Sequence, residues 1–191
     1  MRKSFVVLIL IIINLVMFNF SGYCANQDES AGSPGEVSPE VAKMLSAGWE
    51  AFTKNDFKPA IEQFEKVNAL GENSMAYFGL GSVYLAQGDV AKAQAAFTKS
   101  IKLDFANTGS YDGLGSCYRK TGDLKKAEEY YKKAIMINEK NPWAHFHLGE
   151  LYSKSGNKEN ALEQAEILAD LDKDFEAKLR RQIATDNPLI P

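Results

Sequence analysis

Residues 80–84 read Leu-Gly-Ser-Val-Tyr, residues 114–118 read Leu-Gly-Ser-Cys-Tyr, and residues 148–152 read Leu-Gly-Glu-Leu-Tyr. Each copy begins 34 residues after the previous one. Twelve residues past each glycine comes an alanine, at Ala93, Ala127 and Ala161, and Phe97 and Tyr131 follow the first two at helical spacing. A fainter copy runs from Gly48 through Phe52 to Ala60 and Phe64. Four units in register are hard to obtain by chance, and a period of this length marks a stack of like units.

Each unit reads as two helices. The first carries Leu-Gly-x-x-Tyr, with a small residue where a neighbouring helix must come close. The second sets Ala-x-x-x-aromatic on one face. Between them stand Asn55-Asp56, Gly88-Asp89, Gly122-Asp123 and Gly156-Asn157. Glycine closes a helix in the left-handed conformation, and Asp or Asn then caps the next. Pro59 falls in the first turn of its helix, where a missing N–H does no harm.

These residues resemble the tetratricopeptide repeat family, whose 34-residue pattern W-x2-L-G-x2-Y…A-x3-F…P they follow. The resemblance implies an all-α, right-handed α-solenoid of four helix pairs, at 41–73, 74–107, 108–141 and 142–171, plus a C-terminal capping helix. In the first unit Ala47 and Ala51 replace the leucine and tyrosine, and in the fourth Ala165 replaces the aromatic. Terminal repeats depart from consensus because each has one neighbour. Phe175, Leu179 and Ile183 share a helical face in the segment after residue 172, which suits a cap on the last repeat. Asp186 to Pro191 reads as a frayed tail.

The N-terminus reads as a targeting segment. Arg2 and Lys3 lead into an apolar stretch from Phe5 to Phe20, broken by Asn14 and Asn19, and Ser21-Gly22-Tyr23-Cys24-Ala25 offers small residues for cleavage. Residues 1–25 are therefore expected to be an export signal, with an uncleaved membrane anchor or a lipoprotein acylated at Cys24 as alternatives. The apolar run is short of the ~20 residues that span a bilayer comfortably. Residues 26–40 carry four acids, no base and two prolines, and read as a flexible acidic linker reaching about 20 Å. The expected location is the periplasm of a cell envelope.

Composition excludes some functions. The formal charge is −3, and −5 once Arg2 and Lys3 go with the signal. The bases are scattered among acids, so nucleic acid is not an expected partner. His145 and His147 are the only histidines and lie two apart, pointing in different directions on a helix. His145 is expected at a repeat junction and His147 on the surface, with no metal site. Cys117 is expected to be packed and inert. Gly79-Leu80-Gly81 lies in a helix with no preceding strand and cradles no phosphate. No catalytic constellation and no cofactor site is expected.

What the resemblance implies instead is a concave groove, lined by the first helices of successive units, that holds a peptide or a partner helix. The positions that carry over are Leu45, Trp49 and Phe52; Met75, Phe78, Ser82 and Leu85; Asp112, Ser116 and Arg119; and Trp143, Phe146 and Glu150. The Lys/Asn/Arg clamp used by family members that dock chaperone C-termini is missing, because its positions include Leu45, Trp49 and Gly79. The expected function is a non-catalytic adaptor for an envelope protein, with contact to the membrane through the N-terminal segment alone. The alternatives are a self-associating assembly component and a regulatory subunit of an envelope enzyme.

Overall fold

A computed structural model describes residues 38–186 of the chain. The targeting segment, most of the acidic linker and the last five residues lie outside the described residues. Among the described residues there are nine α-helices and no strand: α1 Pro39–Thr53, α2 Phe57–Leu70, α3 Ser74–Gln87, α4 Val90–Leu103, α5 Thr108–Thr121, α6 Leu124–Ile137, α7 Pro142–Lys154, α8 Lys158–Leu171 and α9 Lys173–Asp186. α1 starts at Pro39, inside the stretch read as linker. Proline suits a first helical position because its absent N–H would be unpaired there anyway.

The turns within pairs are built as the residues require. Gly88, Gly122 and Gly156 have φ of 85°, 84° and 79°, and Asn55 holds the equivalent place at 61°. The side chains of Asp89, Asp123 and Asn157 then accept from the backbone N–H groups of Lys92, Lys126 and Asn160. Asp56 has similar backbone angles but makes no cap bond, a departure from the sequence pattern. A second set of caps, Asn73, Asn107 and Asn141, opens α3, α5 and α7 at the same 34-residue interval.

Packing between helices explains the recurring glycines. The Phe97 ring of α4 wedges between Gly81 of α3 and Gly113 of α5, and a Cβ on Gly81 would come within 2.6 Å of it. Phe64 of α2 fits in the same way against Gly48 and Gly79, and Tyr131 of α6 against Gly115. Each aromatic is essentially inaccessible to solvent. Burying such a ring contributes about 1.5–3 kcal/mol, and any larger residue at the glycine forces the helices apart. Repetition of this wedge produces the helical-repeat solenoid.

α9 lies against α7 and α8. Its Phe175, Leu179 and Ile183 join Leu148, Leu151, Ala161, Ala165 and Leu168 in one buried cluster. No helix among the described residues is long and apolar enough to cross a membrane.

Candidate partner-binding groove

With the glycines at 48, 81, 115 and 149 as reference, the first helices present three columns of side chains on one face. Three residues before the glycine stand Leu45, Phe78, Asp112 and Phe146; one after it stand Trp49, Ser82, Ser116 and Glu150; four after it stand Phe52, Leu85, Arg119 and Ser153. Spacings of three, four and seven keep these columns together on a helix. Along the first three repeats each column passes from apolar to polar.

Eight of these twelve positions line a groove of about 770 Å³. Trp49, Phe52, Phe78, Ser82, Leu85, Asp112, Ser116, Arg119 and Trp143 of the expected set all contribute to its wall. Four expected residues do not. Leu45 packs into the first core cluster, on the end helix that has no repeat before it. Met75 is 45% exposed at the start of α3, with its sulfur 3.8 Å from Asn107 Nδ2. Phe146 stacks on Phe175, with ring centroids 4.8 Å apart, because α9 takes the place a fifth repeat would have. Glu150 is tucked behind the wall, where its Oε2 accepts from Arg119 Nη1 at 3.4 Å.

The first part of the groove is aromatic. Trp49 lies 5.3 Å from Phe78 and 5.7 Å edge-on to Phe52. At the far end Trp143 meets Phe175 edge-on at 4.4 Å while staying 55% exposed. A large indole held on one side and open on the other is the kind of residue that dominates interface energetics.

The middle is polar and tightly arranged. Both Asp112 carboxylate oxygens lie 2.9 Å from His147 Nδ1. The pair links α5 to α7, with 13% and 18% of the two side chains exposed. His147 is thus a groove-wall residue and not the surface residue its sequence position implied; its partner is 35 positions away and invisible to helical periodicity. Ser116 Oγ and Tyr131 Oη are 3.2 Å apart beneath it. Burial pushes the Tyr131 phenol up to about 12, against the pull of Ser116 and Arg119. His145 points the other way, into the junction, where Nδ1 meets Gln164 Oε1 at 2.8 Å and Nε2 meets the Glu139 carbonyl at 2.9 Å.

Among the described residues no group of three or more His, Cys, Asp or Glu side chains is placed to hold a metal ion. Cys117 is buried, and desolvation raises its thiol to about 11.

Residues 74–107 and 144–175 match family models described as tetratricopeptide repeat, and residues 115–156 match one described as TPR repeat. No curated protein matches the chain. Among solved structures, the chain is similar to MamA at TM-score 0.56 and 22% identity, covering 78% of this chain and 93% of that one. It is similar to TTC0263, a thermophilic TPR protein of Thermus thermophilus, at 0.60 and 18%, with the same coverage. YrrB, described as a TPR protein with an unusual peptide-binding site, gives 0.55 and 19% over 78% of this chain and 88% of that one. At these identities the likeness is one of fold.

Proposed function

The chain belongs to the tetratricopeptide repeat family, and from that premise we propose that it is a non-catalytic adaptor whose concave groove holds an extended segment or helix of another protein. The observation that carries this reading is the partly open aromatic wall of Trp49, Phe52, Phe78 and Trp143 around a groove of about 770 Å³. Apolar side chains left accessible in a concave wall gain most when a partner's side chains replace water there. The family supplies the rest of the support: its repeats form interaction scaffolds.

We further place the adaptor in the cell envelope. The support is in the sequence, where Arg2-Lys3, the apolar run Phe5–Phe20 and the small residues at 21–25 follow the order of an export signal. N-terminal sequencing of the protein recovered from its native host tests this. A mature chain starting near residue 25 supports export, and a chain retained in the cytoplasm with Met1 or Arg2 intact overturns it.

A crosslinking pull-down from envelope extract, comparing the wild type with an Arg119→Glu, Phe78→Ala double variant, tests the groove. Partners held by the wild type and lost by the folded variant support it. Identical partners for both move the contact to another face.

A further inference from the structure

We propose that the groove selects partner segments that carry a carboxylate side chain about three residues from an aromatic or branched aliphatic one. The apolar side chain seats against Phe52, Phe78 and Leu85, and the carboxylate meets Arg119 and Lys120. This rests on the groove being the binding surface.

The argument is one of unmatched charge. The charged wall residues are Asp112, Arg119 and Lys120, beside His147. Asp112 is already committed, with both oxygens 2.9 Å from His147. Arg119 is not. Its Nη1 reaches Glu150 at 3.4 Å, well beyond the 2.7–2.9 Å of a strong charge-assisted bond, and its Nε is shielded from solvent without a hydrogen-bond partner. A buried N–H left unpaired is unfavourable. Lys120 stands beside it with Nζ donating to the Leu85 carbonyl at 3.1 Å. That bond costs the ammonium none of its charge, and it fixes the cation at the border between the second and third repeats. The wall therefore offers two neighbouring cations, of which Arg119 is engaged loosely by Glu150 and Lys120 by no carboxylate among the described residues. One further carboxylate would pair the set.

The spacing follows from the register. Phe52, Leu85 and Arg119 hold equivalent places on successive first helices, so in this column the apolar positions end at Leu85, one repeat before Arg119. Packed helices lie about 8–10 Å apart. An extended chain advances about 3.3 Å per residue. Three residues then cover the step from an anchor at Leu85 to a carboxylate at Arg119.

The probe is an oriented peptide library with one fixed phenylalanine and randomised flanks, captured by the full chain in detergent micelles and sequenced. Wild-type protein is expected to enrich Asp and Glu about tenfold over Lys at three to four positions from the phenylalanine, the ratio that one charge-assisted contact supports. Arg119→Glu is expected to invert that preference while Phe78→Ser removes capture altogether. Capture that depends on Phe78 but shows no charge preference overturns this inference and leaves the groove reading standing. No capture, or capture that Phe78→Ser leaves unchanged, overturns both. Circular dichroism of each variant confirms that the helices are intact, and Leu85→Ser replaces Phe78→Ser should that variant unfold.

Discussion

Leu179 of α9 packs against Gly149 of α7 in the manner that Phe97 and Tyr131 pack against Gly81 and Gly115. In the fourth repeat the aromatic of α8 is missing, and Ala165 stands 34 residues after Tyr131 in its place. The last helix thus supplies from outside the repeat the side chain that the repeat lacks.

That substitution is testable by a double-variant cycle. Leu179→Ala empties a fully buried site and is expected to cost about 2–5 kcal/mol in urea unfolding. Ala165→Phe overfills the same cluster and is expected to cost about 1–3 kcal/mol. Together they should cost less than the sum, with coupling of about 1 kcal/mol or more. Strict additivity would show that Leu179 and the missing aromatic do not share one space.

The caps offer a comparison within one molecule. Asp123 accepts from Lys126 N at 3.1 Å, so Asp123→Ala is expected to lower stability by about 1 kcal/mol. Asp56, at the same place in the first repeat, makes no such bond. Asp56→Ala should leave the unfolding free energy within about 0.5 kcal/mol of the wild type. Equal losses at both sites would mean that the cap geometry carries no energy here.

Both tryptophans, Trp49 and Trp143, stand in the groove wall. Tryptophan emission therefore reports occupancy without a label. A bound segment is expected to shift the emission to shorter wavelength as water leaves the indoles, and Trp143→Phe, at the more exposed site, should remove the larger part of the change. A saturating partner that leaves the spectrum untouched would place the contact elsewhere.

Cys117 and Tyr131 make an alkaline prediction. Burial raises the thiol from 9.0 to about 11 and the phenol from 10.0 to about 12. Between the unfolded and folded values the unfolded chain loses protons that the folded chain keeps. Stability from these groups is thus complete below about pH 9 and falls as pH rises toward 12. In a Cys24→Ser background, iodoacetamide at about pH 7.5, well below the buried thiol's range, should label Cys117 only after denaturation. Rapid labelling of the folded protein would show that the junction opens.

The solenoid was legible because its causes are local and repeated. Leu80-Gly81, Leu114-Gly115 and Leu148-Gly149 each state the same close approach, and Gly88, Gly122 and Gly156 state the same turn. The groove was legible at positions whose neighbours are other repeats, such as Trp49, Phe78, Leu85 and Arg119. It failed where an end intervenes: Phe146 has a consensus position, but α9 covers it. It failed also for His147, whose orientation depends on Asp112 one repeat away. The Ser74–Ser100–Ser110 hydroxyl cluster, buried at Ser100 and Ser110 and with Ser110 Oγ 2.7 Å from Ser100 Oγ, left no trace in periodicity, since a serine in an amphipathic pattern reads as solvent-facing.

The crossing between α5 and α7 by Asp112 and His147 has a mechanical consequence. Directional polar contacts hold one relative position of two helices, whereas apolar ring contacts such as Trp49 with Phe78 lose little on sliding. The two halves of the wall should therefore differ in compliance. The part held by Asp112 and His147 is expected to keep its shape, and the part built from Trp49, Phe52 and Phe78 to give more readily. If the groove holds a partner as proposed, tolerance for residue size belongs at its aromatic end and discrimination by charge beside Arg119.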